Sequence, residues 1–166
     1  MIIVLFGLPG TGKNFVAEIL KDNFGFYLYD ADKSLPLAAF RAIKKKHLVT
    51  KTTRRAFYKK LAKKTKWLEK KYSTVVVPRT FTHNSSRRYF KKLLPKAQFV
   101  LVEASRKIRY RRIIRRNHHI DLEYAKKIEG VFEKPDVLYS VLKNNDRGKT
   151  SLKRRIARIL KKANRT

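Results

Sequence analysis

Three glycines and a lysine share one short stretch, Gly7-Leu-Pro-Gly-Thr-Gly-Lys13, and Asn14 and Phe15 follow directly. Glycine at positions 7, 10 and 12 lets the backbone take positive φ and come close to a phosphate. Amide N–H groups from Gly10 onward can then point inward as an anion-binding nest, backed by the positive end of a following helix. Lys13 adds a point charge suited to the terminal oxygens of a polyphosphate. The candidate phosphate-binding set is Gly7, Pro9, Gly10, Thr11, Gly12, Lys13, Asn14 and Phe15. The pattern G-x-x-x-x-G-K usually continues with Ser or Thr, whose hydroxyl meets a metal; here the position holds Asn14.

Such a loop works only between a strand and a helix, and the flanks supply both. Ile2-Ile-Val-Leu-Phe6 is a buried-strand run, while Phe15, Val16, Ile19 and Leu20 recur at helical spacing. A glycine turn that binds nothing is the bland alternative. Glycine spacing, lysine and flanks together point to a nucleoside triphosphate.

Further strand-like runs fall at 26–29, 74–77 and 99–102, with a weaker one at 138–142. Helical patterns lie between them. Phe57, Leu61, Leu68 and Tyr72 share one face of a long basic helix; shorter helices are predicted over 87–94, 106–116 and 122–132, the last capped by Asp121. A terminal helix carries Leu152, Ile156, Ile159, Leu160 and Ala163 as its apolar stripe, with Thr150 or Ser151 as cap. Strands alternating with helices imply an α/β fold with a parallel sheet covered on both faces. Residues 1–166 read as a single domain, without repeats or a linker.

In such a sheet the ligand crevice lies beyond the carboxyl ends of the strands. Asp30-Ala-Asp32 follows the second run. Spaced i, i+2 on extended chain, the two carboxylates point the same way; one could hold Mg²⁺ through water, the other could accept a proton from an attacking hydroxyl. Turn formation is the competing role. Glu103 ends the fourth strand, either as a metal-side acid or as a plain strand-end acid. The third strand ends Val77-Pro78-Arg79, with no acid at all. Arg109, Arg112 and Arg116 form a stripe on the 106–116 helix, where guanidiniums could neutralise charge on transferring phosphates. His118 and His119 are adjacent, so their side chains diverge, which suits a mobile loop better than zinc. Lys143-Asn144-Asn145-Asp146 does not match a guanine-reading N-K-x-D; it suits an adenine-side loop through Asn144.

The chain carries 43 Lys+Arg against 12 Asp+Glu, a net charge of +31, and no cysteine. That field attracts polyanions, yet aromatic residues do not interleave with the basic runs as in known RNA-binding modules. Weak, non-specific nucleic acid binding is therefore the expectation, and Lys44, Lys45 and Lys46 are read as part of a helical basic segment. The absence of cysteine suits the cytoplasm. No stretch reads as a membrane span or a signal peptide.

Taken together, Gly7–Lys13, Asp30-Ala-Asp32, Thr50-Lys-Thr-Thr-Arg54-Arg-Ala-Phe57 and Arg109–His119 followed by Asp121–Ala125 resemble the shikimate kinase and gluconate kinase-like group of P-loop kinases, within the nucleoside monophosphate kinase architecture. The resemblance implies a three-layer P-loop NTPase fold with a five-stranded parallel sheet, and a mobile lid, here around 109–125. It implies Mg²⁺-dependent transfer of the γ-phosphoryl group of ATP to a hydroxyl of a small molecule or nucleotide. By position, Lys13 would hold the phosphates, Asp32 or Asp30 the acceptor hydroxyl and the metal, with Asn14 beside it. Arg112 and Arg116 would touch ATP or the transition state, and Arg54 the substrate. Asn14 and Lys51, the latter where many relatives have an acid, depart from the pattern. A polynucleotide-directed P-loop kinase and a non-catalytic nucleotide-binding protein stand as alternatives.

Overall fold

A computed structural model describes residues 1–116, 120–145 and 148–163. Five strands, β1 (Ile2–Phe6), β2 (Tyr27–Leu28), β3 (Val75–Pro78), β4 (Gln98–Glu103) and β5 (Tyr139–Lys143), form one parallel sheet in the order β2-β3-β1-β4-β5. Among the described residues seven α-helices connect and cover them: α1 (Lys13–Phe24), α2 (Leu37–Lys44), α3 (Lys51–Glu69), α4 (Asn84–Leu93), α5 (Arg106–Arg115), α6 (Leu122–Gly130) and α7 (Gly148–Ala163).

Central β1 shows why the apolar run has no polar alternation. Ile2, Val4 and Phe6 face a core built with Phe57, Leu61 and Phe90 of α3 and α4. Ile3 and Leu5 face the opposite core, with Val16, Ile19, Leu152 and Ile156 of α1 and α7. A strand buried on both faces must be apolar at every position. This is the expected three-layer α/β arrangement, and it sets the end of β1 against the glycine loop.

Several local expectations shift, each for a physical reason. Helix α3 stops at Glu69, so Tyr72 lies beyond it and stacks on Tyr27 with ring centroids 3.8 Å apart. Helix α4 starts at Asn84, three residues before the apolar pattern suggests, because Glu133 supplies a distant carboxylate: the Asn84 N–H donates to its Oε2 at 2.6 Å. Helix α7 begins at Gly148, which places Thr150 and Ser151 inside it rather than at its cap. Helix α6 ends at Gly130, and Asp121 caps its start by accepting from the Tyr124 N–H at 2.9 Å. The basic triplet is not one helical face. Helix α2 ends at Lys44, Lys46 takes a φ of 56°, and its Nζ pairs with Asp121 and Glu123 at 3.0 and 2.7 Å.

Candidate active site

The first turn of α1 has a left-handed glycine, Gly12 at φ 87°, as its N-cap, with no side chain capping the amides and no acidic residue in the turn itself. Its amides are therefore available to an anion. Gly10 is fixed by packing as well as by its φ of 80°: a Cβ there would lie 2.5 Å from the Arg109 carbonyl oxygen. Only glycine lets the loop and α5 approach so closely.

Lys13 folds back over this loop, its Nζ donating to the carbonyls of Gly7 and Leu8 at 2.9 Å each. Burial pushes its pKa down to about 7; the Arg79, Arg116 and Arg109 charges act the same way, and Asp32 opposes them. A phosphate beside the amine would reverse the shift by supplying negative charge. A cavity of about 170 Å³, the candidate phosphate cavity, opens here, lined by Pro9, Gly10, Lys13, Asn14, Asp32, Arg79 and Arg116 among others.

The two aspartates part company. Asp30 is the N-cap of a 3₁₀ turn, Ala31–Ser34, and its Oδ1 accepts from the Asp32 N–H at 3.1 Å. The chain is therefore not extended across Asp30-Ala-Asp32, and the pair of parallel carboxylates expected from the spacing does not form. Asp32 alone lines the phosphate cavity, where its Oδ1 accepts from Nη1 of Arg79. Arg79 leaves the end of β3, its guanidinium 4.7 Å from the Phe57 ring centroid. In the sequence this strand end stands out only for lacking an acid. The available signal was a cation directly beyond a buried parallel strand, where ligands bind.

The arginine stripe also divides. Arg116 lines the phosphate cavity. Arg112 clamps the loop from the side, with Nη1 3.3 Å from the carbonyls of Gly10 and Thr11 and Nη2 3.1 Å from that of Asn144. Buried Asn144 completes the clamp, its Nδ2 donating to the Thr11 carbonyl at 2.8 Å. Arg109 turns away instead: its buried Nη2 donates to Glu129 at 3.0 Å, holding α5 on α6. Glu103 borders a separate cavity of about 370 Å³ with Leu8, Thr11 and Arg109, not the phosphate cavity. Phe15 is 40% exposed on α1. Arg54 lines a larger cavity next door, together with Asp32 and Arg79. Of the lid expected around 109–125, Asn117, His118 and His119 lie outside the described residues. Among the described residues no three His, Cys, Asp or Glu side chains cluster as a metal site, and no helix is long and apolar enough to cross a membrane.

Loop, strand order and flanking helices define the fold of the shikimate and gluconate kinase-like P-loop kinases. The chain belongs to the family described as the AAA domain, whose model matches residues 2–135. A sugar kinase from Janibacter sp. HTCC2649 superposes with a TM-score of 0.82 at 17% identity, over 96% of this chain and 94% of its own. A gluconokinase from Sinorhizobium meliloti 1021 gives 0.77 at 18% identity, over 98% and 93%. The Mycobacterium tuberculosis APS kinase, solved with AMPPNP and APS, gives 0.69 at 16%, over 96% of each chain. No curated protein matches the chain by sequence.

Proposed function

We propose that the protein is an ATP-dependent phosphotransferase that moves the γ-phosphoryl group to a hydroxyl of a small molecule or nucleotide. The observation that carries this reading is the junction at Asp32: one carboxylate borders both the lysine-containing phosphate cavity and a larger cavity able to hold an acceptor. Kinases need little covalent chemistry from the protein, so positioning and charge neutralisation dominate. The loop amides, Lys13 and Arg116 face the phosphate cavity and neutralise charge there. Arg112 and Asn144 hold the loop from the side, and they are the candidates for the nucleoside end of the site.

Asp32 is the candidate base. Arg79 fixes its Oδ1, which leaves Oδ2 to accept the proton of the acceptor hydroxyl. With Asp32 engaged in that role, Asn14 gives the phosphate cavity an amide oxygen that fits Mg²⁺, an ion that usually keeps several waters. Bound there, Mg²⁺ would neutralise β- and γ-oxygens. Asp30 is the weaker candidate, since its carboxylate caps the 3₁₀ turn.

The test is a hydroxyl-acceptor panel with Mg·ATP, read by ADP formation and by detection of the phosphorylated product. Acceptor-dependent ADP with a matching phosphate ester is the expected result. Tight ATP binding with no transfer to any acceptor would replace this reading with a non-catalytic nucleotide-binding protein.

A further inference from the structure

The phosphate cavity continues past Asp32. Pro9, Asp32, Arg79, Thr80 and Ile120 line both it and the second cavity, of about 650 Å³. A volume of that size falls within the roughly 300–1,000 Å³ of clefts that enclose drug-sized ligands. Its walls come from α2, α3 and α6, and they are mainly apolar and aromatic, with Phe40, Ile43, Phe57, Tyr58, Tyr124 and Ile128 among them.

Thr80, Thr82 and Tyr124 bring hydroxyls to these mainly apolar walls, and several of the other polar groups, the Thr50 hydroxyl among them, are already engaged. Asp32 is paired with Arg79, and His83 Nδ1 lies 2.9 Å from Glu133. The Tyr58 hydroxyl accepts from the Phe81 N–H at 3.1 Å. Arg54 is different. Its Nη1 donates to the Val49 carbonyl at 3.2 Å, and among the described residues no carboxylate pairs with it. The cavity thus presents an apolar body, one reactive junction and one cation with charge to spare.

Resting on the phosphotransferase reading above, we propose that the acceptor is an alcohol carried on an apolar, ring-bearing body with a single anionic group set against Arg54, and not a polyol. Most hydroxyls of a polyol would lose their water against mainly apolar walls that offer too few partners to replace it. Aromatic rings, by contrast, gain from burial against Phe and Tyr side chains. The guanidinium of Arg54 is suited to a carboxylate or phosphate. In the transfer, Oδ2 of Asp32 takes the alcohol proton as the alcohol oxygen bonds to the γ-phosphorus. The bond from that phosphorus to the bridging oxygen breaks toward ADP, and the proton passes from Asp32 to solvent.

The test uses the full chain saturated with Mg·AMPPNP for calorimetric binding, and Mg·ATP for transfer followed by ³¹P NMR. The probes are hydroxymethyl-aryl carboxylates of one and two rings, the same alcohols without the carboxylate, and two hydroxyl-rich acids, gluconate and shikimate. The aryl hydroxy acids are expected to bind at least tenfold more tightly than either hydroxyl-rich acid. Removing the carboxylate, or replacing Arg54→Met, should each remove about tenfold, and both together little more than either. Ile43→Gln should weaken the aryl probes while leaving nucleotide affinity intact. Preference for gluconate or shikimate overturns the proposal, as does nucleotide binding with no affinity for any aryl probe. Both of those results leave the nucleotide reading standing, whereas failure to bind Mg·AMPPNP removes both.

Discussion

Arg79 donates through Nη1 to Oδ1 of Asp32, and this ion pair stands where the phosphate cavity and the apolar cavity meet. It ties the end of β3 to the turn after β2, so the two neighbouring strands jointly position one carboxylate. The Arg79 guanidinium is itself held against the Phe57 ring of α3. Asp32→Asn keeps the shape and removes the proposed base. We expect kcat to fall about 10²- to 10⁴-fold with little change in KM for ATP, since proton acceptance acts in the transition state. Unchanged kinetics would reduce Asp32 to a partner for Arg79.

Lys13 gives a pH-dependent signature. Its pKa of about 7 lies below the ordinary 10.5, so the folded free protein sheds this proton at a pH where the unfolded chain still holds it. Between those values the unfolded state binds more protons, and the Lys13 contribution to stability rises with pH. Nucleotide phosphates favour the charged amine, so Mg·ATP binding near pH 8.5 should take up protons, and affinity should weaken as pH rises above 7. Calorimetry in buffers of different ionisation enthalpy reads the uptake. Lys13→Met should abolish the uptake and most of the thermal stabilisation by Mg·ATP. Uptake that persists in the variant would assign the proton elsewhere.

Gly10→Ala isolates loop geometry from loop chemistry. The new methyl group would meet the Arg109 carbonyl at 2.5 Å and a backbone of φ 80°. Strain of this kind costs about 1–3 kcal/mol. Both thermal stability and nucleotide affinity should drop, affinity by tenfold or more, because the loop and α5 must separate. A variant that retains wild-type nucleotide affinity would show that the close packing is not needed for binding.

The loop, the sheet and its two cores were legible because each is written locally. Lys13 and its glycines share seven successive residues, and β1, β3 and β4 are built on short apolar runs. What escaped depends on partners distant in sequence. Asp30 and Asp32 look equivalent until a 3₁₀ turn directs one to the backbone and the other to Arg79, 47 residues on. Arg109 and Arg112 share a helical stripe, yet Glu129 draws one away while the loop carbonyls hold the other. Helix α2 is legible in the sequence only through its basic end at Lys44, and not through Phe40 and Ile43, which line the large cavity and meet partners distant in the chain.

Asn14 lines the phosphate cavity at the position where a hydroxyl usually meets the metal. Asn14→Thr should raise kcat or lower the Mg²⁺ concentration for half-maximal rate, if the metal's shell still reaches this residue. Titration of activity with Mg²⁺ at fixed ATP reads both. Loss of ATP binding together with activity would show instead that the loop is built around the amide.

The net charge of +31 calls for a separate test, and the basic triplet is the wrong place to make it because Lys46 is bound to Asp121 and Glu123. The solvent face of α3 is better, with Lys59, Lys63 and Lys66 all exposed. Trp67, 45% exposed on the same helix, has the Lys64 and Lys71 amines 3.7 and 4.2 Å from its ring centroid, so cations compete with any base for its faces. Single-stranded RNA should therefore bind weakly and lose its affinity as salt rises to physiological strength. Each phosphate neutralised contributes a slope of about −0.7 in log K against log[salt]. Replacing Lys59, Lys63 and Lys66 with Gln should make that slope shallower and leave Mg·ATP binding unchanged, since none of the three lines the phosphate cavity. RNA binding that survives physiological salt, or that competes with Mg·ATP, would favour a polynucleotide acceptor over a small one.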